Sequence, residues 1–245
     1  MIKVLVNGAR GQMGQAVVKA VESEEDLKLV GQADVDDKLE DAIWYTHPDV
    51  VVDFTHPSCA KSNALRILNS ACHVVVGTTG LTQDDLAEID GLARQKGKGA
   101  IVCPNYAIGA VLMMKAAAEI SKYMPCVEII ELHHDRKADS PSGTSIKTAE
   151  MILKSNPYIN NAMNRVQETE TIPGARGGNK DRIHIHSVRL PGFVAHQEVI
   201  FGGLGQTLTL RHDTISRESF MPGVILSVRK VVDTCGLTYG LENLL

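Results

Sequence analysis

Aromatic residues are scarce. Phe, Trp and Tyr make up 4% of 245 residues, with one Trp, so the core must be mainly aliphatic. A basic excess is also missing. The chain has 25 Lys and Arg against 29 Asp and Glu, a formal charge of −4, which gives no field for non-specific nucleic-acid binding. No apolar run approaches the ~18 residues of a membrane-spanning helix. The opening MIKVLVNGARGQMG lacks the charged stretch, apolar stretch and cleavage site of a signal peptide. Cys59, Cys72, Cys103, Cys126 and Cys235 are odd in number and widely spaced, with no Cys-x-x-Cys. They read as reduced thiols of a cytoplasmic protein.

What is present suffices for one large or two modest domains, with 44% hydrophobic residues. The first hundred residues alternate between two patterns. Strand-like runs IKVLVN, LKLVGQA, VVVDF, HVVVG and GAIVC are separated by helical ones, GQMGQAVVKAVES, PSCAKSNALRILNSA and LTQDDLAEIDGLARQK. The strands are nearly continuous apolar runs, which predicts a parallel sheet covered on both faces. After Pro104 the rhythm changes. A long apolar helix (IGAVLMMKAAAEISKYM), a strand (CVEIIELHH) and a helix (GTSIKTAEMILKS) are followed by a polar stretch over about 155–180. Then RIHIHSVRL, AHQEVIFGG and QTLTLRHD predict consecutive strands in an antiparallel or mixed sheet. The last helix is expected within SRESFMPGVILSVRKVVDTCG, with Pro222 in its early turns. The fold class is therefore α/β: a Rossmann-like parallel-sheet domain plus a smaller α+β domain with a mixed sheet.

The first strand runs straight into Gly8-Ala-Arg-Gly11-Gln-Met-Gly14 and a helix. Glycines there allow a tight bend and close approach of a pyrophosphate to the helix N-terminus. The rival reading is a tight turn without a ligand. A dinucleotide site also wants an acid about 20 residues on, to bind the adenine ribose. Asp34 and Asp36 both qualify, and either can instead be a solvated loop acid. No basic residue directly follows Asp34, which leans towards NAD or dual use, with Arg10 and Lys38 as candidate phosphate partners. DFTHP and GTTG close two further strands, where ligands bind in open parallel sheets; plain turn chemistry explains them equally well.

In ELHHDRKADSPSGTS, strand alternation sends His133 and His134 to opposite faces unless the strand ends there. Ser142 stands where an N-cap belongs, and Gly143 and Thr144 begin a helix, a backbone N–H site suited to a carboxylate. Lys137 adds a positive charge. Such a set suits reduction of a C=N or C=C bond, with hydride from a cofactor and a proton from a general acid. No metal is expected. The histidines lack His-x-x-x-His helical spacing, Lys137 would repel a cation, and His184 and His186 equally describe a half-exposed sheet surface. No Gly-x-Ser-x-Gly elbow supports a serine hydrolase.

Together GARGQMG, DFTHP, GTTG, PNYAIG and the specific E-x-H-H-x-x-K-x-D-x-P-S-G-T block resemble the 4-hydroxy-tetrahydrodipicolinate (dihydrodipicolinate) reductase family of lysine and diaminopimelate synthesis, in order along essentially the whole chain. The resemblance implies a dinucleotide domain (1–104 with 214–245) using NADH and/or NADPH. It implies a second domain (105–213) that takes a small cyclic dicarboxylate substrate and builds a homotetramer through its sheet. His133 and Lys137 would be the catalytic pair, with Lys137 the proton donor. His134, Ser142, Gly143 and Thr144 would hold the substrate carboxylates. Gly8, Arg10, Gly11, Gln12, Met13, Gly14, Asp34, Phe54, Thr55, Gly77, Thr78, Thr79, Pro104, Asn105 and Tyr106 would line the cofactor. Gln12 stands where the family often has a basic residue, and Ser145 replaces a frequent alanine, a change expected to be harmless. Two rival readings remain: another two-domain dehydrogenase, which in its phosphorylating form would want a nucleophilic cysteine, and a non-catalytic nicotinamide sensor, which would not need His133 and Lys137.

Overall fold

The computed structural model of the protein describes residues 1–161 and 169–245. Of the polar stretch at 155–180, residues 162–168 lie outside the described residues. The chain divides into two compact units, 1–108 with 217–245, and 109–216.

The first unit runs β1 (Ile2–Asn7), α1 (Gln12–Glu22), β2 (Leu27–Ala33), α2 (Leu39–Thr46), β3 (Val50–Asp53), α3 (Pro57–Asn69), β4 (His73–Val76), α4 (Gln83–Lys96) and β5 (Gly99–Val102). The second runs from α5 (Ile108–Ile120), whose first residue still belongs to the first unit, through β6 (Cys126–His133), α6 (Gly143–Ser155), β7 (Gly178–Lys180), β8 (Ile183–Arg189), β9 (Ala195–Gly203) and β10 (Gln206–Thr214). The chain then returns to the first unit as α7 (Met221–Val231) and β11 (Gly236–Tyr239).

The first sheet has the order β11-β5-β4-β3-β1-β2, with every pair parallel. Its central strands are valine-rich and buried on both faces, as Val50, Val51, Val52, Val74, Val75 and Val76 show. A parallel sheet needs this, because its crossover helices cover both sides. The helix ends follow local chemistry. In α4, Thr82 and Asp85 form a reciprocal capping box, and Gly97 ends the helix in the left-handed region at φ 61°. In α3, Pro57 begins the helix and the His56 side chain caps it.

Three short elements, α2, β7 and β11, are not among the sequence expectations. The segment LEDAIWYT forms α2, which buries only Leu39 and Ile43 and leaves Trp44 and Tyr45 exposed; so short an apolar stripe carries little periodicity. The C-terminal helix lies within the expected segment with Pro222 in its first turn, and starts at Met221 after a single 3-10 turn at Arg217–Phe220. Beyond it, β11 is short and joins the sheet only by pairing with β5, more than 130 positions earlier in the chain.

The second sheet has the order β10-β9-β6-β8-β7 and is mixed. β6 pairs parallel with β8 and antiparallel with β9. One face packs Val127, Ile129, Ile183, Ile185, Val199 and Phe201 against Met113 and Ala117 of α5 and Ala149 and Ile152 of α6. The other face stays half-exposed. There Glu128 accepts hydrogen bonds from His186 at 2.8 Å and from Arg176, and the rings of His184 and His186 stack with centroids 6.5 Å apart. The paired histidines thus belong to a sheet-surface ion network. Among the described residues, no helix is long and apolar enough to cross a membrane.

Candidate active site

In the first sheet, β2 lies on one side of β1 and β3 on the other. The chain runs from β1 to β2 on one side and then crosses to β3 on the other, and a crevice opens at the carboxyl ends of strands at such a reversal. A cavity of about 400 Å³ lies there, lined by Gly8, Gly11, Asp34, Phe54 and Thr55 among others. Its floor is a buried polar cluster. Asp53, fully buried, accepts from Asn7 at 2.7 Å, Asn63 at 3.0 Å and the Thr55 hydroxyl at 2.7 Å. Burial pushes the Asp53 carboxyl above its ordinary range, and these hydrogen bonds oppose the shift. Sequence reasoning missed Asn7, Asp53 and Asn63. Asn7 and Asp53 are in register at adjacent strand ends, a signal that needs the strand order to be seen.

The turn suits a dinucleotide pyrophosphate. Gly11 is the N-cap of α1 and no side chain caps that end, which leaves first-turn N–H groups able to take an anion. A Cβ on Gly8 would meet the Phe54 carbonyl oxygen at 2.6 Å, and Gly8 has φ +82°. On Gly14 a Cβ would meet the Gly8 carbonyl oxygen at 2.0 Å, while on Gly11 the nearest atom stands at 3.3 Å. Gly8 and Gly14 therefore have structural reasons to be glycine, and Gly11 is the position that keeps the helix end open. Asp34 accepts from the Arg10 amide at 2.7 Å and from the Val35 amide, which hold its carboxyl below the usual range. The Arg10 guanidinium reaches Asp36 at 3.3 Å and Asp37 at 3.4 Å, so the acids of this turn already engage Arg10. Asp34 lines the cavity and Asp36 does not.

The remaining cofactor candidates divide. Gly77 packs beneath the Phe54 ring, where a Cβ would meet it at 2.0 Å. The Thr78 hydroxyl donates to the Thr55 carbonyl at 3.2 Å, and Thr79 is exposed. Tyr106 is buried and donates its hydroxyl to the Val76 carbonyl at 2.8 Å, so its ring serves the core and the strand end presents backbone. The Asn105 side chain accepts from the Ala107 amide at 2.8 Å. Pro104 is exposed, while Gln12 and Met13 sit in the first turn of α1.

In the second unit, β6 ends at His133, so His133 and His134 leave the strand where its alternation stops. His133 hydrogen-bonds through Nδ1 to the fully buried carboxylate of Glu131, which also accepts from Arg189 at 2.7 Å. Burial acts to raise the Glu131 carboxyl, but the His133 and Arg189 bonds overcome it and hold it down at about 2. Lys137 donates to both carboxylate oxygens of Asp139, at 2.6 and 2.8 Å. The Nδ1 atom of His134 is buried and without a hydrogen-bond partner among the described residues, as expected of a group that waits for a ligand.

Ser142 caps α6, accepting from the Ser145 amide at 3.3 Å. A Cβ on Gly143 would meet nothing within 4 Å, so the helix start is open to an approaching anion. Ser145 is buried and takes part in a hydrogen-bond chain. Its hydroxyl contacts Ser142 Oγ at 2.9 Å and donates to Gln197 at 2.8 Å, and Gln197 donates on to Thr148 at 2.8 Å. This buried chain braces the helix start against β9.

Comparison with known proteins gives one answer. The family profiles described as "Dihydrodipicolinate reductase, N-terminus" and "Dihydrodipicolinate reductase, C-terminus" match residues 2–106 and 109–245. The 4-hydroxy-tetrahydrodipicolinate reductase of Desulfitobacterium hafniense (strain DSM 10664 / DCB-2) is 48% identical over 266 positions, covering 100% of this chain and 98% of the relative. That of Listeria innocua serovar 6a is 48% identical and covers 100% of both. The solved structure of a dipicolinate-bound dihydrodipicolinate reductase from Paenisporosarcina sp. TG-14 matches with a TM-score of 0.88 and 42% identity, covering 100% of both chains. An amine dehydrogenase from Mycobacterium smegmatis, at 13% identity and a TM-score of 0.65, shares the fold alone. The chain belongs to the dihydrodipicolinate reductase family.

Proposed function

We propose that the chain reduces 4-hydroxy-tetrahydrodipicolinate to tetrahydrodipicolinate with NADH or NADPH, in the cytoplasm, as a step of lysine and diaminopimelate synthesis. The observation that carries this reading is the run from His133 to Thr144. It holds an imidazole anchored by a buried carboxylate, a lysine, an unpartnered buried His134 nitrogen and an open helix start within one short segment.

The first unit, taken as 1–104 with 214–245, holds the dinucleotide. The Gly8–Gly14 turn takes the pyrophosphate and Asp34 the adenine ribose. A reduced nicotinamide, when bound, supplies the hydride. Residues 105–213 take the substrate. His134 and the N–H groups at Ser142–Thr144 hold its carboxylates, and Lys137, with His133 as the other member of the catalytic pair, gives a proton to the ring carbon beside the one reduced. The dipicolinate-bound relative supports a small dicarboxylate as ligand. The balance is one hydride and one proton taken up and one water released.

The second domain also builds a homotetramer through its sheet. The half-exposed outer face of that sheet and β10, which is paired on one side only among the described residues, support this.

The test is steady-state consumption of NADH and of NADPH with the substrate generated in situ. The wild-type protein should consume at least one of the two in a substrate-dependent way. Lys137→Ala should lower kcat by about 10²–10⁴-fold while leaving NADH affinity within about twofold. No turnover with either cofactor rejects the reading, and a large loss of NADH binding in the variant rejects the role given to Lys137.

A further inference from the structure

On its inward face β6 carries Val127, Ile129, Glu131 and His133. The row changes from aliphatic to ionisable at the end of the strand that reaches the proposed site. Glu131 is 0% exposed, and its two oxygens are separately engaged. Oε2 meets His133 Nδ1 and Oε1 accepts from Arg189 at 2.7 Å. The same Arg189 nitrogen donates to the backbone carbonyl of Asp139 at 2.8 Å, and the Asp139 carboxylate holds Lys137. One buried carboxylate is thus joined to both residues proposed for proton delivery.

We infer that Glu131 is a positioning residue for the reduction: it fixes the His133 ring with its proton on Nδ1 and, through Arg189, anchors the loop that carries Lys137. The inference rests on the function proposed above. Its first argument is cost. Burying an ion pair stabilises a fold less than well-packed aliphatic side chains of similar volume do, and the two preceding inward positions are aliphatic. An acid at the third is explained by what it holds. The second argument is geometry. A carboxylate on Nδ1 sets the tautomer and orientation of an imidazole and leaves Nε2 to face the reaction. The third is coupling. His133 sits on a strand and Lys137 in the loop beyond it, so a shared anchor keeps them in register where a loop alone would not.

The experiment is a double-mutant cycle on the full-length enzyme with Glu131→Gln, His133→Gln and both together, read as kcat and KM for the substrate. Glutamine keeps the volume but cannot accept from both donors without turning its amide towards one of them. Glu131→Gln should lower kcat by about tenfold or more with little change in KM for NADH, and should have less than roughly a threefold effect once His133 is already glutamine. An equal factor in both backgrounds, or a wild-type kcat in Glu131→Gln, overturns the inference. A readout on the wild-type protein does not depend on the variants folding. With ¹⁵N-histidine labelling, a downfield Nδ1–H proton should be present for His133, and its absence overturns the inference. If wild-type enzyme shows no turnover, the proposed function fails; if it turns over while Glu131→Gln is unimpaired, only this inference fails.

Discussion

At the scale of single residues, two positions separate function from stability. Gly143 opens onto free space, so Gly143→Ala meets no steric obstacle in the free protein. If the α6 start receives a substrate carboxylate, this methyl group should raise the substrate KM by about tenfold or more, since close backbone approach is what the glycine permits. Its melting temperature should stay within a few degrees of wild type. An unchanged KM would place the carboxylate elsewhere. Glu131 gives a pH dependence with a definite sign. Its folded carboxyl is held at about 2, against about 4.3 in an unfolded chain. A depressed acid contributes stability that is fully present above the unfolded value and is lost as pH falls through the folded one. Thermal melts should therefore fall between about pH 4.5 and 2, and Glu131→Gln should flatten that part of the curve. An identical acid slope in the variant would contradict the assignment.

At the scale of elements, the turn after β1 makes a sharper claim than its glycine spacing did. Gly14→Ala places a Cβ 2.0 Å from the Gly8 carbonyl oxygen, which only a backbone shift can relieve, at a cost of about 1–3 kcal/mol. Gly11→Ala meets that oxygen at 3.3 Å and should cost less stability while still weakening NADH binding. Paired melts and fluorescence titrations check this, and the opposite ranking in stability would show that the turn packs otherwise. Much of the architecture was legible because each long strand and helix carries its own periodicity. β1 and β2 end where their apolar runs end, and α6 begins at its serine cap. What escaped was non-local. β11 is recognisable only beside β5, the Asp53 cluster only once β3 lies beside β1, and Glu131 only once Arg189 of β8 is placed next to β6. The acid was visible in E-L-H-H, and its spacing of two from His133 already put both on one strand face. The partner that gives the spacing meaning lies 58 positions away in the chain.

At the scale of the whole molecule, the division of labour follows the two units. A parallel sheet with an open helix end suits a dinucleotide, and a strand end at His133 followed by a loop with His134 and Lys137 and by the Ser142–Thr144 helix start suits a dicarboxylate. The chain crosses from one to the other at the start of α5 and returns at residue 217. The central claim is that hydride passes from a nicotinamide to the substrate ring while a lysine of the second unit supplies the proton. The measurement that tests it most directly is turnover with NADH deuterated at the transferring carbon, followed by mass analysis of the product. The account predicts tetrahydrodipicolinate carrying one deuterium in wild-type reactions and a greatly reduced rate of labelling in Lys137→Ala. Cofactor oxidised without label in the product, or full-rate labelling by the lysine variant, would contradict it.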